Sequence, residues 1–297
     1  MATCNGAATL GAQLDSFAGQ SLTPGHLVIS DDGSSDATDQ ITRDFARDAG
    51  FAVIRLSGPR QGPAANFLHL IDNAPDDADF AAFSDQDDVW LPEKLARGVD
   101  ALTAHTGPAM VCARAIIAPA NLDGGRAAPM PDRAPGFRNA LVQNIAGGNA
   151  MMVNRAALDL LRDCVRDAAG IVFHDWWIYQ MVTGAGGAVL LDDVPTLLYR
   201  QHRDNAVGSG HRLRGFIQRP LRVISGRYAA VNETQIAALT RSVARLTPEN
   251  RVLLARFIAA RDGSAKGRLN AIRDLGLYRQ GRTGNVGLWA AALLGRF

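Results

Sequence analysis

Cysteine is scarce in this chain of 297 residues. Only Cys4, Cys112 and Cys164 are present, and their odd number and scattered positions form neither a disulfide framework nor a metal-binding spacing. The default environment for such a chain is the reducing cytoplasm, where structural disulfides are rare. With 47% hydrophobic residues, the chain is instead expected to bury a substantial core.

Long apolar runs are also missing. No stretch reaches the roughly 20 apolar residues that span a bilayer, and no secretory signal pattern is visible. No internal repeat is present either. The expected location is therefore cytoplasmic, with peripheral attachment at the inner face of the cell membrane as an alternative.

Acidic residues are depleted from the last part of the chain. Residues 210–297 carry 16 Lys and Arg against 4 Asp and Glu, whereas residues 1–209 carry 15 against 25. This asymmetry predicts a catalytic domain over 1–209 and a basic helical extension over 210–297. Arginines interleaved with apolar residues suit an anionic membrane surface, and a solvated helical appendage is the alternative. No nucleic-acid partner is expected, because no recognised binding motif or aromatic stacking pattern is present.

Strand-like and helix-like patterns alternate over the first part of the chain. Short apolar runs typical of strands occur at 27–29, 51–54, 80–83 and 110–117. Segments with helical periodicity lie at 10–17, 41–45, 66–71 and 92–102. This rhythm predicts an α/β fold with a mostly parallel, Rossmann-like sheet flanked by helices. In such sheets, ligands bind beyond the carboxyl ends of the strands.

Two acidic motifs fall at predicted strand ends. Asp31-Asp32 follows the second strand, and Asp85, Asp87 and Asp88 follow the strand at 80–83. Three carboxylates among four residues repel one another unless a cation or solvent relieves them, and oxygen-only ligands suit Mg²⁺ or Mn²⁺. Because such an ion takes its other ligands from water and phosphates, the cluster predicts a phosphate-bearing substrate. The alternative is a solvated acidic turn.

A series of short motifs follows along roughly residues 1–210. They are Ala2-Thr3-Cys4-Asn5-Gly6, Asp31 to Asp36, Gly62 to Phe67, Ser84 to Trp90, Gly147-Gly148-Asn149, His174-Asp175-Trp176-Trp177, and Tyr199 to His202 with Asn205 and Gly208. In this order they resemble the family 2 glycosyltransferases of the GT-A fold, particularly the bacterial rhamnosyltransferase-like branch. The resemblance implies inverting, metal-dependent transfer from a UDP- or dTDP-sugar, with dTDP-rhamnose among the donors, to a glycan or lipid-linked saccharide in cell-surface polysaccharide synthesis.

The resemblance also implies roles on the donor side. The residues implied in nucleotide-sugar binding are Thr3, Asn5, Asp31, Asp32, Arg60, Asn66, Asp85 and Gln86. Asp87 would hold the ion, with His202 close to the metal and the diphosphate. A structural alternative is that Asp31 or Asp32 caps the following helix, and that His202 only supports the fold.

On the acceptor side, the resemblance implies that Gly148, Asn149 and Trp176 contact the acceptor. Asp175 would act as the general base, removing a proton from the acceptor hydroxyl as it attacks the anomeric carbon. One base and one displacement give inversion at that carbon. The alternatives are a tight turn at the two glycines and a helix-capping or first-turn role for Asp175.

The chain departs from the family pattern at two points. Met1 falls almost on the first loop, so the first strand is expected to be short or missing. The Gln-x-x-Arg-Trp motif of processive relatives is absent, which favours addition of one sugar or a few.

Two other functions compete with this interpretation. A nucleotidyltransferase that makes a nucleotide sugar would carry a basic triphosphate loop, and residues 5–14 contain no basic residue. A non-catalytic module binding nucleotide sugars or membranes would be consistent with a truncated first strand, but Asp87 and Asp175 are both intact.

Overall fold

The computed structural model describes residues 1–201 and 227–296, which form two units. The first unit comprises residues 1–130, 146–166 and 188–201. The second comprises residues 131–145 and 167–187 together with the described residues from 227 onward. Residue 209 lies outside the described residues, so the division into 1–209 and 210–297 stays a prediction.

The first unit begins with a three-stranded parallel sheet in the order β1-β2-β3. Its strands are β1 (Ala2–Thr3), β2 (His26–Asp31) and β3 (Ala52–Ser57). The helices that follow them are α1 (Leu10–Ala18), α2 (Thr38–Asp48) and α3 (Pro63–Asp72). As expected, β1 is short, and its register places Thr3 beside Asp31 at the carboxyl end of the sheet.

A second sheet of six strands completes this unit. Its strands are β4 (Phe80–Ala82), β5 (Val89–Trp90), β6 (Ala109–Ala118), β7 (Arg126–Ala127), β8 (Met151–Asn154) and β9 (Ala188–Arg200). The order is β4-β8-β6-β9-β5, with β7 pairing β6, and the flanking helices are α4 (Lys94–Thr103) and α6 (Arg155–Cys164). Strands β6 and β9 pair in parallel, whereas the other pairs are antiparallel. The α/β class is confirmed, with parallel pairing concentrated in the first sheet.

Apolar packing fastens α1 to the second sheet. Leu10, Leu14 and Phe17 have helical spacing and are all buried. The Phe17 ring meets Trp90 of β5 edge-on, with the ring centroids 4.7 Å apart. Trp90 lies two residues after Asp88, so this contact holds the end of the acidic segment, residues 84–88, close to the first helix.

The second unit is helical. Its helices are α5 (Phe137–Ala140), α7 (His174–Gly184), α8 (Arg227–Arg241), α9 (Pro248–Arg261), α10 (Ala265–Asp274) and α11 (Arg282–Leu293). Helix α7 packs against α5 and α8, and Trp177 and Tyr179 are completely buried. The Tyr179 hydroxyl accepts a hydrogen bond from the Gly136 N–H at 2.9 Å. The described part of the basic extension is therefore helical, as predicted.

None of the helices formed by the described residues combines the length and the hydropathy needed to cross a bilayer.

Candidate active site

The loop after β1 is tied to the end of β2 through Asp31. Its carboxylate accepts hydrogen bonds from the Thr3 hydroxyl at 3.1 Å, and from the Ser34 N–H and hydroxyl at 3.0 and 2.5 Å. The Ser34 oxygen in turn accepts from the Asn5 N–H at 2.7 Å. The structure thus brings Thr3, Asn5 and Asp31 together, and their role in nucleotide-sugar binding stays a prediction.

Asp32 organises the loop that follows β3. Its two carboxylate oxygens accept from the main-chain N–H groups of Arg60 and Gly62 at 2.6 and 2.7 Å. Asn66 is only 1% exposed, and its side-chain amide donates to the Ser30 carbonyl at 2.9 Å. Asp32 therefore holds the loop that contains Arg60 beside the end of β2, and the buried Asn66 side chain is bonded to the main chain of the same strand.

Asp36 contacts the start of α2, so neither Asp31 nor Asp32 has the capping role considered above. Its carboxylate accepts from the Thr38 N–H at 3.0 Å and the Thr38 hydroxyl at 2.6 Å, and from the Ala7 N–H at 3.0 Å. These bonds, led by that from the Thr38 hydroxyl, lower the pKa of Asp36. Asp31 instead holds the loop after β1, and Asp32 holds the loop after β3.

A reciprocal pair of hydrogen bonds joins the first loop to the acidic segment. The Cys4 N–H donates to the Gln86 side-chain oxygen at 2.8 Å, and the Gln86 side-chain amide donates to the Cys4 carbonyl at 2.9 Å. The Ala2 N–H also donates to the Ser84 carbonyl at 3.2 Å. Strand β1 is therefore bonded both to β2 and to the segment that carries Asp85, Asp87 and Asp88.

Asp85, Asp87 and Asp88 form the carboxylate cluster. One carboxylate oxygen from each lies within 4.8 Å of the others; Asp85 and Asp87 are half-buried and Asp88 is buried. Hard oxygen donors at this spacing suit a divalent cation of the Mg²⁺ or Mn²⁺ type. The cluster thus fits the metal role predicted from the sequence.

Asp88 is held by the turn before β8 and by the end of β9. Its carboxylate accepts from the Asn149 side-chain amide and, at 3.2 Å, from the Arg200 N–H. The Arg200 guanidinium donates through Nε to the Asp87 carbonyl at 2.8 Å, as the antiparallel pairing of β5 with β9 allows. Burial, followed by the neighbouring Asp87 charge, raises the pKa of Asp88 to about 7. We conclude that Asp88 helps to position the carboxylate cluster through its hydrogen bonds from Asn149 and Arg200.

Lys94 is a buried cation beside this site. It is 5% exposed, and its ammonium lies 4.9 Å from the centroid of the Trp90 ring. Burial lowers the pKa of Lys94 to about 8, and the Asp88 charge opposes that shift. Lys94 stands between Glu93 and Leu95 in a segment of mixed charge, so no signal in the sequence marked it as buried.

The segment before β8 forms a tight turn, which was the alternative considered for the two glycines. The Ala150 N–H donates to the Gly147 carbonyl at 2.9 Å, and Gly148 is half-buried. Asn149 is 8% exposed, and its amide is engaged with Asp88. The side chain of Asn149 therefore links this turn to the carboxylate cluster, and acceptor contact by Gly148 and Asn149 stays a prediction.

Asp175 occupies the first turn of α7, in the second unit. It is half-buried, and its carboxylate accepts from the Trp176 N–H at 2.7 Å. Trp176 is 2% exposed, and its indole N–H donates to the Ala140 carbonyl at 2.7 Å. The predicted helix start is confirmed, whereas the catalytic and acceptor roles stay predictions. His202 lies outside the described residues.

Gly6 allows the close approach of Gln86. A Cβ atom at this position would lie 2.3 Å from the Gln86 side-chain oxygen. Gly6→Ala should displace that side chain from both hydrogen bonds to Cys4 and lower the free energy of unfolding by about 2 kcal/mol. Urea denaturation measures the change.

Gly11→Ala is the matched control, because a methyl group added at this exposed position of α1 would have no other atom within 4 Å. A glycine removed from a helix interior should raise stability by roughly 0.5–1 kcal/mol. Equal stability changes in the two variants would contradict the role assigned to the Cys4–Gln86 pair.

An α/β fold with two loop motifs and a carboxylate cluster at adjoining strand ends is the arrangement of a GT-A glycosyltransferase. Residues 1–161 match the family model described as glycosyl transferase family 2. The chain belongs to this family and is a glycosyltransferase.

One curated relative and two solved structures illustrate the similarity. The dTDP-rhamnosyl transferase RfbG of Shigella flexneri is 27% identical over 246 residues, which cover 80% of this chain and 83% of that protein. The S. aureus TarS fragment 1–349 in complex with UDP-GlcNAc gives a TM-score of 0.53 at 15% identity, covering 99% of this chain and 89% of that one. GalNAc-T7 with UDP, GalNAc and Mn²⁺ gives 0.50 at 13%, covering 73% and 46%. The two structures establish likeness of fold.

Proposed function

We propose that this chain transfers a sugar, with rhamnose the leading candidate, from a dTDP- or UDP-linked donor to a saccharide or lipid-linked saccharide acceptor of a cell-surface polysaccharide. The observation that carries the proposal is the Cys4–Gln86 pair, which joins the first loop to the carboxylate cluster. A nucleotide on the loop would thereby have its diphosphate directed toward the acidic residues. The similarity to a dTDP-rhamnosyl transferase supports the choice of donor.

The two aspartates at the carboxyl end of β2 have different proposed roles. Asp31 accepts three hydrogen bonds that fix Thr3 and Ser34, whereas Asp32 accepts two from main-chain N–H groups of the described residues. A carboxylate offers about four lone-pair sites, so Asp32 keeps more capacity for another donor. We assign to Asp32 the imide N–H of a uracil or thymine ring, and to Asp31 the shape of the loop.

Asp87 would hold Mg²⁺ or Mn²⁺, with His202 as a further ligand, and Asp85 would contact the nucleotide sugar. When bound, the ion would act as a Lewis acid that neutralises the charge developing on the leaving diphosphate. Asp88 and Arg200 keep the segment in position through the contacts already described. The Mn²⁺ in the GalNAc-T7 structure supports a divalent ion in this fold.

Asp175 is the proposed general base. Its carboxylate would take the proton from the acceptor hydroxyl while that oxygen attacks the anomeric carbon and the bond to the diphosphate breaks. The hydrogen bond from the Trp176 N–H holds one carboxylate oxygen of Asp175 and thereby orients the carboxylate. A single displacement of this kind inverts the configuration of the transferred sugar.

Calorimetric titration with dTDP, UDP, GDP and CDP, each with and without Mn²⁺, tests the donor assignment. We expect binding of dTDP or UDP that depends on the metal. Binding restricted to GDP or CDP would overturn the donor class, and no binding by a folded protein would overturn the proposed nucleotide site as a whole.

We also propose that the reaction takes place at an anionic membrane surface. The excess of 16 Lys and Arg over 4 Asp and Glu in residues 210–297 supports this location, since anionic lipid attracts basic segments.

A further inference from the structure

The last helix, α11, carries apolar side chains on a solvent-exposed face. Val286, Trp289, Leu293 and the adjoining Leu294 are 69%, 42%, 57% and 53% exposed, and together they are called the apolar strip. Spacings of three and four residues place Val286, Trp289 and Leu293 on one side of the helix. A helix that is apolar all round is normally covered on every side. The apolar strip is therefore expected to be covered by a lipid layer or by another protein molecule.

The opposite face of α11 is buried within the second unit. Leu288, Ala291 and Ala292 are at most 3% exposed, and α10 packs against this helix. The orientation of the helix is thus set by its own buried side. Exposure of the apolar strip follows from that packing.

Both ends of α11 are fixed by hydrogen bonds. At the start, the Asn285 side chain accepts from the Arg279 N–H at 3.0 Å and donates to the Gly281 carbonyl at 2.7 Å. At the end, the Arg268 guanidinium donates to the Ala292 carbonyl. The apolar strip is consequently presented by an anchored helix, which requires little ordering when it docks.

A cation lies at each end of the apolar strip. Arg282 lies one turn before Val286, and Arg296 follows Leu294; both are exposed. No charged residue lies between these two arginines. An apolar face with a cation at each end is typical of helices that lie in the plane of a membrane interface.

We propose that the apolar strip inserts into the interfacial layer of an anionic lipid bilayer, with α11 parallel to the membrane plane. Trp289 would lie at the level of the headgroups, where the amphipathic indole is favoured. The arginines at both ends would contact lipid phosphates. This inference deepens the proposed location of the reaction at a membrane surface and rests on that part of the proposed function.

A lipid surface fits these observations better than a second copy of this chain. Four side chains with these exposures present on the order of 400 Å² of surface, since a large apolar side chain has about 200 Å². A standard protein interface needs about 800 Å² from each partner. Symmetric pairing would also bring like-charged arginines of two copies together, which opposes association.

Vesicle flotation of the full chain, without nucleotide, tests the proposal. We expect binding to phosphatidylcholine vesicles that contain about 30% phosphatidylglycerol, and binding that weakens as salt increases. The double substitution Trp289→Asp with Leu293→Asp should reduce the partition coefficient at least tenfold, because a carboxylate replaces each inserted side chain. The pair Arg282→Glu and Arg296→Glu should reduce it on anionic vesicles.

Val252→Asp is the matched control. Val252 is 60% exposed on α9 of the same unit and lies outside the apolar strip, so its substitution should leave partitioning unchanged. Partitioning of the Trp289/Leu293 variant equal to that of the wild type would overturn the proposal. Circular dichroism and urea denaturation of each variant exclude loss of fold as the cause of weaker binding.

Two parallel measurements separate the remaining outcomes. Sedimentation analysis that shows a wild-type dimer, made monomeric by Trp289→Asp and indifferent to vesicles, would assign the strip to a second copy and overturn the lipid proposal. Nucleotide titration of the same samples reports on donor binding. Vesicle binding without nucleotide binding would support membrane insertion of the apolar strip and contradict the proposed donor site. Nucleotide binding without vesicle binding would contradict membrane insertion alone.

Discussion

Replacing Asp87 with Asn should abolish sugar transfer while leaving the fold intact. The substitution removes the negative charge proposed to hold the divalent ion, and we expect turnover to fall by at least about 10³-fold. The main-chain carbonyl of Asp87, which accepts from Arg200, is unchanged by the substitution. Release of nucleoside diphosphate from the donor measures turnover, and a titration with Mn²⁺ measures the loss of ion binding.

Asp100→Asn provides the control for charge removal. Asp100 is an exposed carboxylate of α4 in the same unit, and its substitution should change neither turnover nor ion binding. Urea denaturation should give a free energy of unfolding for Asp87→Asn close to that of the wild type. Full activity in the Asp87 variant would contradict the proposed ligand and leave Asp85 and Asp88 to be tested instead.

The first sheet could be predicted from the sequence because its signals are local. The apolar runs that became β2 and β3 are each bounded by turn residues, and Leu10, Leu14 and Phe17 repeat at helical spacing. Each signal lies within one element. The predicted strand and helix positions therefore agree with the structure.

The antiparallel part of the second sheet could not be anticipated in the same way. Strand β5 has only two residues and pairs with β9 more than a hundred positions later in the chain. Strands β8 and β9 likewise had no strand prediction, since their pairing depends on distant partners rather than on local pattern. Non-local pairing of this kind is fixed by the folded sheet.

The candidate site shows the same division. Motifs in order identified Asp31, Asp32 and the carboxylate cluster, but not which groups each carboxylate would bind. Asp32 accepts from N–H groups about 30 residues away, and Asp88 accepts from Asn149 in the turn before β8 and from Arg200 at the end of β9. A sequence motif reports the type of side chain, whereas these partners depend on the tertiary fold.

Replacing Asp175 with Asn should stop transfer and preserve donor binding. Asn keeps the side-chain oxygen that accepts from the Trp176 N–H, so the first turn of α7 should remain ordered. The amide cannot take the proton of the acceptor hydroxyl, and loss of a general base typically costs about 10²–10⁴-fold in rate. Turnover measured with acceptor should therefore fall, whereas the nucleotide affinity measured by calorimetric titration should stay unchanged.

The comparison with Asp87→Asn makes the assignment of Asp175 specific. The Asp87 variant should lose ion-dependent nucleotide binding, whereas the Asp175 variant should bind nucleotide and Mn²⁺ as the wild type does. Asp262→Asn, an exposed carboxylate at the end of α9, controls for charge removal in the second unit. If Asp175→Asn instead lost donor binding with the rate, its carboxylate would have to act on the donor. A base for the acceptor hydroxyl would then have to be sought among other side chains.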